Sequence, residues 1–157
     1  MSTQLPHPAP TIGPDTAEFW AGTTEGALLL ERCPDCQTVI WYPRGGFCPN
    51  CGGFSAVRFR AAGTGTVYSF TVVHRGLGEY AGATPFVIAY VELDEGPRLM
   101  TNIVDCDPSE VHIGMPVRAV FHDTGAGSAL YRFAPTSTPR SGADADSAER
   151  TDAQHAL

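Results

Sequence analysis

Two cysteine pairs, Cys33-Pro34-Asp35-Cys36 and Cys48-Pro49-Asn50-Cys51, constrain this chain more than any other feature. A Cys-x-x-Cys turn presents two thiolates from one tight bend, and two such turns supply the four sulfurs of a closed tetrahedral zinc site. The second knuckle runs into Gly52-Gly53, where the backbone can bend so that amide groups point at the sulfurs. The first ends at Gln37, a poorer residue for that turn. The spacer between the pairs, residues 37–47, is somewhat shorter than the common paired-knuckle spacing but suits two short hairpins. The main alternatives are a redox pair or a disulfide. A catalytic zinc is disfavoured, because four thiolates leave no position open for water.

The compartment bears on that choice. No stretch approaches the apolar length of a membrane span, and Met1 to Pro14 lacks the charged and apolar regions of a signal peptide. A reducing cytoplasm is the resulting expectation, and it favours zinc over disulfides. The fifth cysteine, Cys106, stands alone and reads as a small buried or half-buried apolar residue rather than a nucleophile.

At 157 residues the chain makes one or two small domains. Its net charge is −7, and all ten Lys/Arg positions are arginine. Without lysine there is no Schiff base and no phosphate-gripping ammonium. An acidic chain with scattered arginines is also a poor counterion-releasing partner for nucleic acid.

Residues 1–14, rich in Pro and Thr, predict a flexible arm. Asp15 with Glu18 three positions on has capping-box spacing and predicts a helix carrying Phe19 and Trp20. Those two aromatics either pin the helix to the fold or dock a partner. Strand-like Ala27 to Glu31, the first knuckle, Val39 to Tyr42 and the second knuckle follow in the order of a zinc ribbon, so residues 15–53 form one unit. From Phe54 the pattern turns all-β. Residues 54–74 read as one bent strand, with Tyr68, Phe70 and Val72 on one face and Val67 and Val73 on the other. Phe86 to Leu93 and Arg98 to Val104 flank Asp94-Glu95-Gly96-Pro97, a hairpin turn. Asp107-Pro108 starts a helical turn, and Val117 to His122 and Leu130 to Phe133 close the set. Five strands with a helical turn between the third and fourth match an OB-fold barrel over residues 54–134; an SH3-like barrel or short sandwich fits the same count. Residues 135–157, nearly free of large apolar side chains, predict a disordered tail.

Several strings then stand together: Phe19-Trp20, the two knuckles with Tyr42-Pro43-Arg44 between them, and Gly65-Thr66-Val67-Tyr68-Ser69-Phe70-Thr71-Val72-Val73-His74-Arg75. Val91-Glu92-Leu93-Asp94-Glu95-Gly96-Pro97-Arg98-Leu99, Cys106-Asp107-Pro108 and Ile113-Gly114-Met115-Pro116-Val117 follow. In order and spacing this set resembles a family of small proteins with a rubredoxin-like zinc ribbon followed by an OB-fold, long of unknown function. The resemblance covers about residues 15–134. It implies a mainly β protein that is a companion subunit of an acyl-CoA enzyme, chiefly a thiolase-like protein and sometimes a hotdog-fold hydratase. In such complexes the small subunit stabilises its partner and helps shape the acyl-CoA channel, in routes that include steroid and aromatic-acid degradation. Zinc on Cys33, Cys36, Cys48 and Cys51 would then be structural, and the chemistry would lie on the partner.

For coenzyme A contact the candidates are Arg44 in the inter-knuckle turn, His74 and Arg75 at a strand end, and Arg98; each arginine also reads as an ordinary surface cation pairing with carboxylates. Nothing in the sequence assembles a nucleophile with a base, so an autonomous active site is not expected. The runner-up function is single-stranded nucleic-acid binding by the barrel. It would use Tyr68, Phe70 and Tyr90, although their alternation reads first as core.

Overall fold

The computed structural model describes residues 4–136. A short 3-10 turn, Pro14–Thr16, leads into α1 (Ala17–Thr24). The ribbon strands are β1 (Leu29–Arg32), β2 (Val39–Ile40) and β3 (Val57–Arg60). The barrel strands are β4 (Thr64–Val73), β5 (Phe86–Leu93), β6 (Arg98–Ile103), β7 (Pro116–Asp123) and β8 (Ala129–Pro135).

The barrel closes in the order β4-β5-β6-β8-β7. Every pairing is antiparallel except β6 with β8, which meet in parallel at Ile103 and Phe133. Counted within the barrel, that is strand order 1-2-3-5-4, the Greek-key closure of an OB-fold. The β5–β6 hairpin turns where expected, with Gly96 at φ 106 and its amide donating to Leu93 O at 2.8 Å. Between β6 and β7 the turn Pro108–Glu110 is capped by Asp107, whose carboxylate accepts from the Ser109 amide at 2.8 Å. Proline at the first helical position removes one of the turn's open donors, and the aspartate before it accepts from another.

The 54–74 segment is not one bent strand. Its first part, β3, pairs antiparallel with β1, giving a three-stranded sheet β2-β1-β3, and only from Thr64 does the chain enter the barrel. The reason is a charge pair: Arg58 stands directly opposite Glu31, and its Nε lies 3.4 Å from the Glu31 carboxylate. Glu31 is 1% exposed, and a buried carboxylate is tolerated only with such a partner. The Arg44 amide donates to the same carboxylate at 3.3 Å, fastening the inter-knuckle turn.

The helix starts later than the sequence suggests. Gly13 caps the 3-10 turn by donating its amide to Thr16 Oγ1 at 3.2 Å, and Glu18, instead of closing a box with Asp15, pairs with Arg58. Phe19 is fully buried, edge-on to Trp20, Trp41, Tyr42 and Tyr131 at centroid distances of 5.1–5.9 Å. One ring thereby joins helix, ribbon and barrel. Thr23 Oγ1 accepts from the Ala129 amide at 2.9 Å and seats α1 on the start of β8.

The described part of the arm is docked. Leu5 is buried with Ala83 and Phe86, and the carbonyls of Leu5 and Pro6 accept from the Arg132 guanidinium. At the other end β8 includes Pro135, and the Thr136 amide donates to Pro116 O at 3.1 Å. The disorder expected for the tail concerns residues that, from 137 on, lie outside those described.

Candidate metal centre and barrel face

The two knuckles are near copies. The Gln37 amide donates to Cys33 O and the Gly52 amide to Cys48 O, both at 2.9 Å; the Cys33 and Cys48 amides bond back to Thr38 O and Gly53 O. Gln37 and Gly52 occupy the same left-handed bend, at φ 59 and 79. Glycine adopts it freely, whereas Gln37 is held by its side-chain amide donating to Pro34 O at 2.7 Å. Gln37→Gly relieves backbone strain and loses that bond, so its Tm should stay within a few degrees of the parent, a change under about 1 kcal/mol.

The four Sγ atoms all lie within 4.8 Å of one another, with Cys33 to Cys51 at 3.5 Å and Cys36 to Cys48 at 3.6 Å. A tetrahedral ion with sulfur bonds of about 2.3 Å sets its sulfurs about 3.8 Å apart. The thiols therefore fit a small tetrahedral cation with shifts of about 1 Å or less in any sulfur–sulfur distance. Their acidities point the same way. Hydrogen bonds from the Asn50 side chain and from Thr38 pull the Cys36 thiol down to about 5. Against the Gly53 amide, which favours thiolate, its hydrogen bonds with Cys33, Cys48 and Cys36 push Cys51 up to about 12. Four thiols this close cannot all ionise unless a cation takes the place of their protons.

The other sequence candidates separate. Phe19 and Trp20 lie in the core and pin the helix. Arg44, His74 and Arg75 are exposed. Arg98 bonds to Glu92 at 2.6 Å and stacks 3.5 Å over the Tyr68 ring. Arg98 is opposite Glu92, which is opposite Thr66, whereas Arg75 follows the far end of β4. Nine residues of extended chain span on the order of 30 Å, so these two arginines do not converge on one phosphate. Cys106 is half-buried, and burial, with Glu110, Asp105 and Asp107 nearby, pushes its thiol up rather than toward thiolate.

The sequence read Tyr68 and Tyr90 first as core, but the structure places both on the outer face of β4, β5 and β6. A β-bulge between Val67 and Ser69 breaks the alternation, so Val67, Phe70 and Val72 all face the core cluster and Tyr68 is thrown outward. Tyr68 is 47% exposed, Tyr90 48% and Met100 59%, with Tyr90 and Met100 directly opposite each other. A groove of about 340 Å³, lined by Trp20, Phe86, Ile88, Leu130 and Tyr131 among others, opens beside Met100. No helix among the described residues is long and apolar enough to cross a membrane.

Comparison with known proteins agrees with this architecture. Residues 20–57 match the family described as the ChsH2 rubredoxin-like zinc ribbon domain, and residues 60–122 match the ChsH2 C-terminal OB-fold domain. A DUF35 domain-containing scaffold protein of Methanocaldococcus jannaschii is 39% identical, over 69% of this chain and 81% of its own length. A probable enoyl-CoA hydratase alpha subunit of Thermomonospora curvata is 43% identical over 70% of this chain, which spans only 34% of that longer protein. Among solved structures, a chain of the Ltp2-ChsH2(DUF35) aldolase superposes with a TM-score of 0.72 at 37% identity, covering 82% of this chain and 100% of that one. With the zinc-ribbon model matched ahead of the OB-fold model and a DUF35 relative matched over most of its length, the chain belongs to the DUF35 family of ChsH2-type zinc-ribbon/OB-fold proteins.

Proposed function

We propose that this chain is a zinc-binding companion subunit of an acyl-CoA-processing complex, assisting assembly and acyl-CoA binding beside a thiolase-like, aldolase or hydratase partner that carries the chemistry. The observation that carries the reading is the outer barrel face, where Tyr68, Tyr90 and Met100 stand exposed with Arg98 stacked among them. Tyrosine, methionine and arginine are the side chains enriched at protein interfaces. The relatives support it: one is named a probable hydratase alpha subunit, and another is a chain of the Ltp2-ChsH2(DUF35) aldolase. Zinc is the metal whose preference for four thiolates the ribbon meets, and such a site is structural.

The same face favours one second reading. Exposed tyrosines on the strands an OB-fold commonly uses could stack single-stranded bases. Glu92 lies within the face and occupies Arg98, and the net charge of −7 works against phosphate binding.

Isolation of the full chain from native extract, with mass-spectrometric identification of what accompanies it, tests both. A stoichiometric complex with a thiolase-like or hydratase protein is expected, turning over acyl-CoA as the separated chain does not. The pair Tyr90→Asp and Met100→Asp should weaken that complex at least about 100-fold with unchanged metal content. Tight single-stranded DNA binding that falls steeply with salt, and no protein complex, overturns the proposal in favour of the second reading.

A further inference from the structure

The barrel holds a buried cation that also lines the groove beside Met100. Arg132, on β8, is 2% exposed. Buried Glu31 has Arg58 for company, but among the described residues no carboxylate lies within ion-pair distance of Arg132. Its two outer nitrogens donate to the neutral carbonyls of Leu5 (3.3 Å) and Pro6, while its Nε–H is buried without an acceptor. His122 Nε2 is a second buried nitrogen without a partner. The register sets Val120 opposite Arg132 and Leu130 opposite His122, so Arg132 and His122 are diagonal neighbours on one face. Both line a cavity of about 870 Å³ between the arm and the barrel.

An unpaired buried charge costs several kcal/mol, and neutral carbonyls offset only part of it. Two unmet nitrogens on diagonal neighbours, one permanently cationic, are what an oxyanion completes. His122 responds to the same surroundings: burial first, then Arg132 and His7, depress its basicity against an opposing effect of Asp105. The cavity is far too large for an ion alone and falls within the roughly 300–1,000 Å³ of small-molecule sites. Leu5, Phe86 and Ile103 supply apolar wall, while Asp105 and Asp107 stand exposed among the lining residues. Those carboxylates oppose a doubly charged head more than a singly charged one.

We propose that this cavity binds a small amphipathic oxyanion, its carboxylate or phosphate head directed at Arg132 and His122 and its apolar body along Leu5, Phe86 and Ile103. The site shares Phe86 and Arg132 with the groove beside Met100, and it is tested on the isolated, metal-loaded full chain so that the outcome does not depend on the docking reading. Side-chain nitrogen signals of Arg132 and His122 are followed by NMR during titration with hexanoate, hexyl phosphate and, as a neutral control, hexanol at constant ionic strength. Saturable shifts at both residues are expected with hexanoate and none with hexanol. Tighter binding of hexyl phosphate keeps the site and assigns it a phosphate head. Arg132→Gln should lose about tenfold or more in affinity. Failure of both anions to saturate the wild-type signals, an equal response to hexanol, or undiminished affinity in a folded Arg132→Gln chain overturns the proposal. Because the wild-type titration decides the matter alone, a variant that fails to fold does not shelter it; His122→Asn, at a less buried position, supplies the second substitution and should also weaken binding.

Discussion

Replacing Cys48 with serine should release the metal and unfold the ribbon while leaving the barrel strands paired. Cys48 is fully buried, its sulfur is 3.6 Å from Cys36, and its amide bonds to Gly53 O at 2.8 Å. The ribbon's own cluster contains little else, only Cys33, Ile40 and Cys48 with Cys36 and Ala56 against it. A core that small cannot offset the entropy of ordering two knuckles, so ion binding supplies most of the local folding free energy, on the order of 10 kcal/mol for sites of this type. Elemental analysis should find less than a full equivalent of zinc, and hydrogen exchange should find the β1–β2 amides unprotected while β5 and β6 stay protected. Full metal content together with protected β1–β2 amides would refute a four-thiolate clasp. Chelation of the wild-type protein should give the same pattern, reversed on adding zinc back.

Phe19→Ala should be the costliest change away from the metal. The ring is wholly buried and meets four other aromatic rings drawn from the helix, the ribbon and the barrel. Removing it costs about 3–5 kcal/mol for lost burial and cavity formation, toward the upper end because edge-to-face pairs go with it. A loss of roughly 10 °C in Tm follows for a chain of this size. Phe19→Leu should recover much of it. Zinc should stay bound in both variants, which separates this effect from that of Cys48→Ser. A small loss with Ala would mean that Trp20 and Tyr131 can close over the gap.

These cases show which parts of the molecule were readable beforehand. The knuckles, the Asp94–Pro97 hairpin and the Asp107-Pro108 cap rest on contacts within a few residues, and each was legible because the causal groups are adjacent in sequence. The pairing of β3 with β1 was not, since it depends on Arg58 meeting Glu31 across 27 residues (58 − 31). The outward turn of Tyr68 escaped for a different reason. Alternation predicts a face only while the period holds, and a single bulge reverses it without any mark in the residue types. Arg132 escaped too. In Leu130-Tyr131-Arg132-Phe133 it reads as a strand's solvent-facing residue, and the arm, 126 and 127 residues away, covers it together with Tyr80. An arginine flanked by large apolar residues on the closing strand of a barrel was the one available signal.

The contacts that seat the helix and the arm set an order of events during synthesis. Thr23 waits for the amide of Ala129, and Leu5 and Pro6 wait for the guanidinium of Arg132. Most of the ribbon, by contrast, is complete within the first half of the chain: its ligands end at Cys51 and its last strand at Arg60. The nascent chain can therefore capture its ion and fold the ribbon long before β8 leaves the ribosome, while the helix carries Phe19 and Trp20 without their final neighbour Tyr131. A chain truncated before residue 129 would hold zinc yet display that aromatic pair, which makes the last strand the step that turns a sticky intermediate into a finished protein.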